Sequence, residues 1–299
     1  MLLNHTMLRI RDPLVSLAWY KNHFGMSVLA TLPVDSLGFT NYFLGCTGPN
    51  SLAKNTPWYQ RQGLLELCHN HDAEERNFVA NNGNQEPHRG FGHICFTVNN
   101  LEQFCSNLEK QGVKFQKKLE DGRQKNIAFA LDPDGYWVEL VENQHGDGVR
   151  MNHSMIRVKD KEKSINFYKN IMGMNLLHTM NHEAAKFTLY FFGFPDPNSP
   201  RSLFDREGLI ELTHNWGTEN DVQFSYHNGN LAPQGFGHFG IVVDDVDKAV
   251  ERCEQLGVKI IKRRTDGKMK FIAFVEDPDG YWIELLPMAD FPKDIFANL

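Results

Sequence analysis

The feature that most constrains this chain is an internal repeat, which any fold must accommodate twice. At an offset of 145 to 148 residues the same words return in the same order. Asn4-His5-Thr6-Met7-Leu8-Arg9 recurs as Asn152-His153-Ser154-Met155-Ile156-Arg157. Gly63-Leu64-Leu65-Glu66-Leu67-Cys68-His69-Asn70 recurs as Gly208-Leu209-Ile210-Glu211-Leu212-Thr213-His214-Asn215, and Gly90-Phe91-Gly92-His93 as Gly235-Phe236-Gly237-His238. Asp132-Pro133-Asp134-Gly135-Tyr136-Trp137-Val138-Glu139-Leu140 returns as Asp277-Pro278-Asp279-Gly280-Tyr281-Trp282-Ile283-Glu284-Leu285. Solenoid repeats run at roughly 20–50 residues, so this period marks a duplicated domain. The expected division is 1–143 and 151–299, joined by a short polar linker at 144–150.

Each half carries the same order of local patterns. Thr6 to Arg11 alternates as a strand does, and Leu14, Leu17, Ala18 and Phe24 fall near helical spacing before Gly25 ends the run. Phe39 to Leu44 and Leu64 to Cys68 read as strands. Ile94 to Val98 opens a second cycle, with a helix from Leu101 to Gln111 closed by Gly112. Ile127 to Leu131 and Tyr136 to Glu142 are paired strands around Asp132-Pro133-Asp134-Gly135, where Pro pre-sets the turn and Gly relaxes its exit. Residues 45–62 and 193–206 read as loops. The fold class expected is α+β, with four βαβββ modules in two tandem domains and the two loops the least defined segments.

The net charge of −6 argues against nucleic acid as a partner, because phosphate recognition needs clustered excess cations. No stretch approaches the roughly 20 apolar residues that span a bilayer. The opening Met1-Leu2-Leu3-Asn4-His5 resembles neither a secretory signal nor a transit peptide, so the expected address is cytoplasmic. The five cysteines form no CxxC pair and do not recur at equivalent positions, which favours reduced thiols over a disulfide framework.

Four polar positions in each half stand out against this background: His5, Glu66, His93 and Glu139, then His153, Glu211, His238 and Glu284. The intervals from Glu66 to His93 and from His93 to Glu139 are repeated unchanged in the second half. Alternation places Glu139 with Trp137 and Val141, and Glu66 with Leu64 and Cys68. An ionised carboxylate buried among such neighbours costs several kcal/mol or more unless a cation or hydrogen bonds compensate it. A lone strand histidine is more often a satisfied core residue, and a duplication copies bystanders too. Here the polar types persist while Cys68/Thr213 and Ile94/Phe239 beside them drift, which favours ligation of a divalent cation. Two imidazoles and two carboxylates suit such an ion and leave about two positions open in an octahedral site.

Arg9 lies four residues beyond His5 and Asn70 four beyond Glu66, so each stands roughly 13 Å along its strand from a candidate ligand. Arg157 and Asn215 repeat that relation to His153 and Glu211. The spacing leaves room for an extended ligand along the strand face.

Taken together, His-Thr-Met-Leu-Arg, Leu-Glu-Leu-(Cys/Thr)-His-Asn, Asn-Gly-Asn, Gly-Phe-Gly-His and Asp-Pro-Asp-Gly-Tyr-Trp-(Val/Ile)-Glu resemble glyoxalase I in its tandem single-chain form. That family belongs to the vicinal-oxygen-chelate superfamily, and the resemblance covers nearly the whole chain. It implies isomerisation of the methylglyoxal–glutathione hemithioacetal to S-lactoylglutathione through a metal-bound enediolate, with glutathione as co-substrate. It implies two ions per chain, zinc first and nickel second, one held by His5, Glu66, His238 and Glu284 and the other by His153, Glu211, His93 and Glu139. Glu139 and Glu284 are then the main bases, opposed across the substrate by Glu66 and Glu211.

By the same resemblance Arg9, Asn70, Arg89, Lys117, Arg123, Arg157, Asn215, Lys262, Lys268 and Met269 contact the substrate. Arg89 corresponds to Gln234 and Met269 to Gln124, so two unequal sites are expected on a monomer. Two rivals were weighed. An extradiol dioxygenase uses iron with two His and one carboxylate, which Glu66 and Glu211 disfavour. A binding protein of the bleomycin-resistance type needs no such carboxylates.

Overall fold

Asp12 starts the first helix by accepting hydrogen bonds from the Leu14 and Val15 amides, with Pro13 at the first position, and Gly25 stops it in the left-handed region at φ 63°. Asp160 caps the corresponding helix in the second half. The computed structural model describes residues 1–48, 51, 55–122, 124–144, 148–195 and 202–288. The first module is β1 (Leu2–Ile10), α1 (Pro13–Phe24), β2 (Met26–Val34), β3 (Phe39–Cys46) and β4 (Leu64–Asn70). The second is β5 (Phe91–Val98), α2 (Leu101–Lys110), β6 (Phe115–Lys117), β7 (Ile127–Leu131) and β8 (Trp137–Glu142). The third is β9 (Arg150–Val158), α3 (Lys161–Asn166) continued by a π-helical turn at Phe167–Ile171, β10 (Asn175–His182), β11 (Phe187–Gly193) and β12 (Leu209–Asn215). The fourth is β13 (Phe236–Val243), α4 (Val246–Gln255), β14 (Ile260–Lys262), β15 (Ala273–Glu276) and β16 (Trp282–Pro287).

Each of the two eight-stranded sheets mixes the halves. One runs β14-β15-β16-β13-β1-β4-β3-β2 and the other β10-β11-β12-β9-β5-β8-β7-β6. Modules one and four therefore share a sheet, as do modules two and three. The seams are antiparallel: β1 meets β13 with His5 opposite Gly240, and β5 meets β9 with Cys95 opposite His153. Inside the modules β1 runs parallel to β4 and β13 to β16, which places Glu66 and Glu284 on the strands flanking the seam.

Alternation then separates two faces. Leu65 and Leu67 enter the shared hydrophobic core with Tyr20, Phe24, Phe96, Tyr168 and Phe239, while Glu66 and Cys68 face a cavity. Phe91 and Phe236 stack at 5.0 Å in that core, and full burial of such a side chain contributes about 1.5–3 kcal/mol. The core is continuous across both halves, which makes the duplicated units one packed body.

Three sequence expectations change. The first helix buries Ser16, Tyr20 and Phe24 and leaves Leu14 80% exposed. Its inner face is chosen by polar docking: Tyr20 donates to Asp132 at 2.8 Å and Ser16 to Asp134 at 2.8 Å. Second, His5 and His93 lie within their strands rather than opening them, because Leu2 and Leu3 already pair with Val242 and Ile241, and Phe91 with Ile156. Third, β2, β6, β10 and β14 carry no strong sequence pattern, and these four are the sheet edges. An edge strand is half solvated, so its alternation is weak. Beyond the last residues of β3 and β11, which reach Cys46 and Gly193, residues 45–62 and 193–206 hold only single 3-10 turns at Trp58–Gln60 and Leu203–Asp205 among their described residues.

Candidate metal centres

The central strands bring the eight candidate ligands into two clusters, His5 with Glu66, His238 and Glu284, and His93 with Glu139, His153 and Glu211, all buried. Each cluster takes two residues from each half, in the pairing the resemblance implied. In the first, His5 Nε2 lies 2.9 Å from Glu66 Oε2, 3.1 Å from Glu284 Oε2 and 3.2 Å from His238 Nε2. In the second, His153 Nε2 lies 3.1 Å from both Glu139 Oε2 and Glu211 Oε2, and 3.3 Å from His93 Nε2. Ligands about 2.0–2.2 Å from a common ion stand about 3.0–3.4 Å apart at neighbouring vertices. The donor atoms thus outline a coordination sphere.

One imidazole in each cluster, His5 and His153, is aimed by an asparagine. Asn4 spends its amide N–H groups on the carbonyls of Trp58 and Arg61, at 2.8 and 2.7 Å, which leaves its oxygen to accept from His5 Nδ1 at 2.8 Å. Asn152 does the same with Leu203, Arg206 and His153 Nδ1. With Nδ1 donating, a neutral ring presents the Nε2 lone pair to the cluster, as a metal ligand must. His5 Nε2 and His238 Nε2 facing each other at 3.2 Å, with the buried carboxylates of Glu66 and Glu284 within 3.4 Å of them, form a donor set that fits a divalent cation.

Without the cation the groups compensate one another. Burial pulls the His5 imidazole down, but Glu66 and Glu284 outweigh it and raise it to about 9. Burial pushes Glu66 up, and His5 and His238 bring it down to about 2. Glu139 and Glu284 are lowered by the histidines despite burial. Cys95 lies in the seam beside His153 and Glu139, and burial pushes its thiol up to about 12, so it stays protonated.

Each cluster opens onto a cavity. The first, of about 570 Å³, is lined by Glu66, His238 and Glu284 together with the expected contacts Arg9, Asn70, Lys262, Lys268 and Met269. The second, of about 340 Å³, exposes all four ligands of its cluster and the expected Arg89, Arg157 and Asn215. Lys117 is not on that wall. Its amine instead donates to the carbonyls of Lys118, Gln124 and Ile127, at 3.3, 2.7 and 2.6 Å. Lys262 ties down the matching loop through Arg263, Met269 and Ile272. Arg123 lies outside the described residues.

Arg9 is held by the other half: its guanidinium donates to Phe236 O at 3.1 Å and Asn230 Oδ1 at 2.8 Å. Arg157 donates likewise to Phe91 O and Asn84 Oδ1. The Asn-Gly-Asn words therefore buttress these arginines. Sequence alone assigns no role to these words or to Asn4 and Asn152, although the repeated Asn-His pair is a usable signal.

The chain matches the family described as the Glyoxalase/Bleomycin resistance protein/Dioxygenase superfamily over residues 2–140 and 150–285. It is 48% identical over 302 aligned residues to a protein of Saccharomyces cerevisiae named glyoxalase I, covering 96% of this chain and 92% of that one. A lactoylglutathione lyase of Schizosaccharomyces pombe is 47% identical over 292 residues, covering 95% of each chain. Among solved structures, glyoxalase I from Zea mays superposes with a TM-score of 0.75 at 27% identity, covering 99% of this chain and 95% of that one. No helix among the described residues is long and apolar enough to cross a membrane.

Proposed function

Because the chain belongs to the Glyoxalase/Bleomycin resistance protein/Dioxygenase superfamily, we propose that it works as a glyoxalase I, or lactoylglutathione lyase. It converts the hemithioacetal of methylglyoxal and glutathione into S-lactoylglutathione at two centres shared between its halves. The observation that carries this reading is the pair of four-donor clusters, each with two imidazole Nε2 atoms and two carboxylates converging on one point beside a cavity.

The bound divalent cation supplies electrophilic stabilisation for the oxygen charge that builds as a carbon-bound proton leaves. Glu284 and Glu139 take the proton from the carbon bearing sulfur and return it to the neighbouring carbon, while the hydroxyl proton passes to the former carbonyl oxygen. Net composition is unchanged, as an isomerisation requires. All four carboxylates are buried, and Glu284 and Glu139 keep slightly more exposure toward the cavities than Glu66 and Glu211. Glu66 and Glu211 oppose them across the reacting carbons. Asn4 and Asn152 hold the His5 and His153 imidazoles in the ligating tautomer.

Arg9 and Asn70 in one cavity, and Arg157, Asn215 and Arg89 in the other, meet the glutathione carboxylates and amides. Lys268 and Met269 border the first cavity beside them. Lys262 and Lys117 serve chiefly to shape their loops. Zinc is the ion assigned, with nickel second, two per chain, and the protein acts as a cytoplasmic monomer. The domain limits that fit this reading are 1–143 and 151–299.

The test is thioester absorbance on mixing the protein with methylglyoxal and glutathione. Thioester is expected to form, to stop on verified cation removal and to return with zinc or nickel. Activity that survives removal of the ion overturns the reading.

A further inference from the structure

The two cavities stand on matching ligand frames but have different walls. Ahead of β15 the first cavity is walled by Ile261, Met269 and Phe271. They belong to an apolar cluster with Trp58 and Trp282 over Ile272, Phe274 and Leu286. In the second module the equivalent positions are Gln116, Gln124 and Asn126. Gln124 and Asn126 line the second cavity, whose wall also carries His182 where the first has Val34. The first cavity is also the larger, about 570 against 340 Å³.

Strand register places this wall. Ala273 pairs with Leu285, Leu286 with Val242, and Val242 with Leu2, so Met269 and Phe271 lie toward the Leu2 end of β1. Arg9 lies at the opposite end, its amide bonded to Gly235 O at 3.2 Å. The row of His5, Gly240 and Glu284 runs between them. A hemithioacetal anchored through its tripeptide at Arg9 and Asn70, with its reacting carbons at the ligand row, directs the aldehyde substituent toward the wall that differs.

We propose that the two centres divide 2-oxoaldehydes by substituent, the His5 centre taking bulky apolar ones and the His153 centre small or hydroxylated ones. The inference rests on the glyoxalase reading and goes beyond it by giving each centre its own substrate class. An aryl group gains by leaving water against Trp58, Met269 and Phe271. Against Gln124 and Asn126 it displaces water from amides that it cannot bond, whereas a hydroxyl group is matched there.

The experiment isolates each centre with Glu139→Gln, which silences the His153 centre, and Glu284→Gln, which silences the His5 centre. The ratio of kcat/KM for phenylglyoxal to that for methylglyoxal is expected to be at least about tenfold higher in Glu139→Gln. Adding Met269→Gln with Phe271→Asn to Glu139→Gln should collapse that ratio, mainly through KM for phenylglyoxal. Adding Gln124→Met with Asn126→Phe to Glu284→Gln should raise it. Calorimetry with S-benzylglutathione and S-methylglutathione provides a readout apart from turnover: the first swap weakens the benzyl ligand alone if the protein is folded. Ratios within twofold in the two single variants, or swaps that leave them unchanged, overturn the division while the glyoxalase reading stands. Absence of turnover with methylglyoxal in one single variant overturns the division, and its absence in the unmodified protein overturns the glyoxalase reading as well.

Discussion

The two centres match closely in their four-donor clusters and part at one seam contact and along one cavity wall. Asn4 reaches His5 at 2.8 Å and Asn152 reaches His153 at 2.7 Å. The buttresses behind them, Tyr20 to Asp132 and Tyr168 to Asp277, agree at 2.8 and 2.9 Å. Yet at the seam Gly240 faces His5 where Cys95 faces His153, and the far walls differ in polarity. Coordination demands four donors at mutual distances set by an ion, whereas a cavity wall must only avoid clashes. Positions that share a metal are therefore held together, and those that touch only solvent or a substituent are free to part.

Removing the proposed bases tests that comparison most severely. Glu139→Gln with Glu284→Gln is expected to lower thioester formation by about three orders of magnitude or more, while either change alone leaves roughly the contribution of the untouched centre. Steady-state rates on the three proteins check this, and loss of all activity in one single variant would refute independent centres. The seam gives the next largest effect. A methyl at position 240 would overlap the His5 ring, so Gly240→Ala should cost about 1–3 kcal/mol and reduce metal content from two ions to one. Cys95→Ala adds no atom at the other seam and should leave both ions bound, as elemental analysis would report.

Smaller effects follow from the aiming asparagines. Asn4→Ala should weaken cation affinity about 10–100-fold at one centre, and Asn152→Ala at the other, seen as two separated steps in a competitive chelator titration. Proton linkage is gentler. His5 in the cation-free protein holds its proton to about pH 9 and must release it to ligate, so apparent affinity should rise with pH up to that point, by no more than about tenfold per unit for one proton. Calorimetry in two buffers of different ionisation heat at pH 7 should register the release. The same group's stabilisation of the cation-free fold is complete below about pH 6.5 and fades as pH climbs through 9.

What was legible in the sequence were the features that repetition and burial constrain together. Glu66 and Glu284 stood out because a carboxylate inside an apolar strand demands an answer, and the central strands because both their faces are covered. The edges β2, β6, β10 and β14 were faint because one side of each meets water. The inner face of α1 was misread because Ser16 and Tyr20 are buried by hydrogen bonds to Asp134 and Asp132, a contact between modules that local periodicity does not encode. Lys117 looked like an anion site because an isolated lysine shows its charge and not the three carbonyls that occupy it.

The sheets are also nested along the chain. All strands of one lie between Phe91 and Asn215, while the other needs β1 and β16 brought together from opposite ends. Its seam joins His5 to His238 across 233 positions, against 60 between His93 and His153. A loop about four times longer costs about 1.2 kcal/mol more to close. The inner sheet thus has the head start during synthesis: its last strand emerges while β13 to β16 are still unmade, and the outer sheet closes around a scaffold already standing.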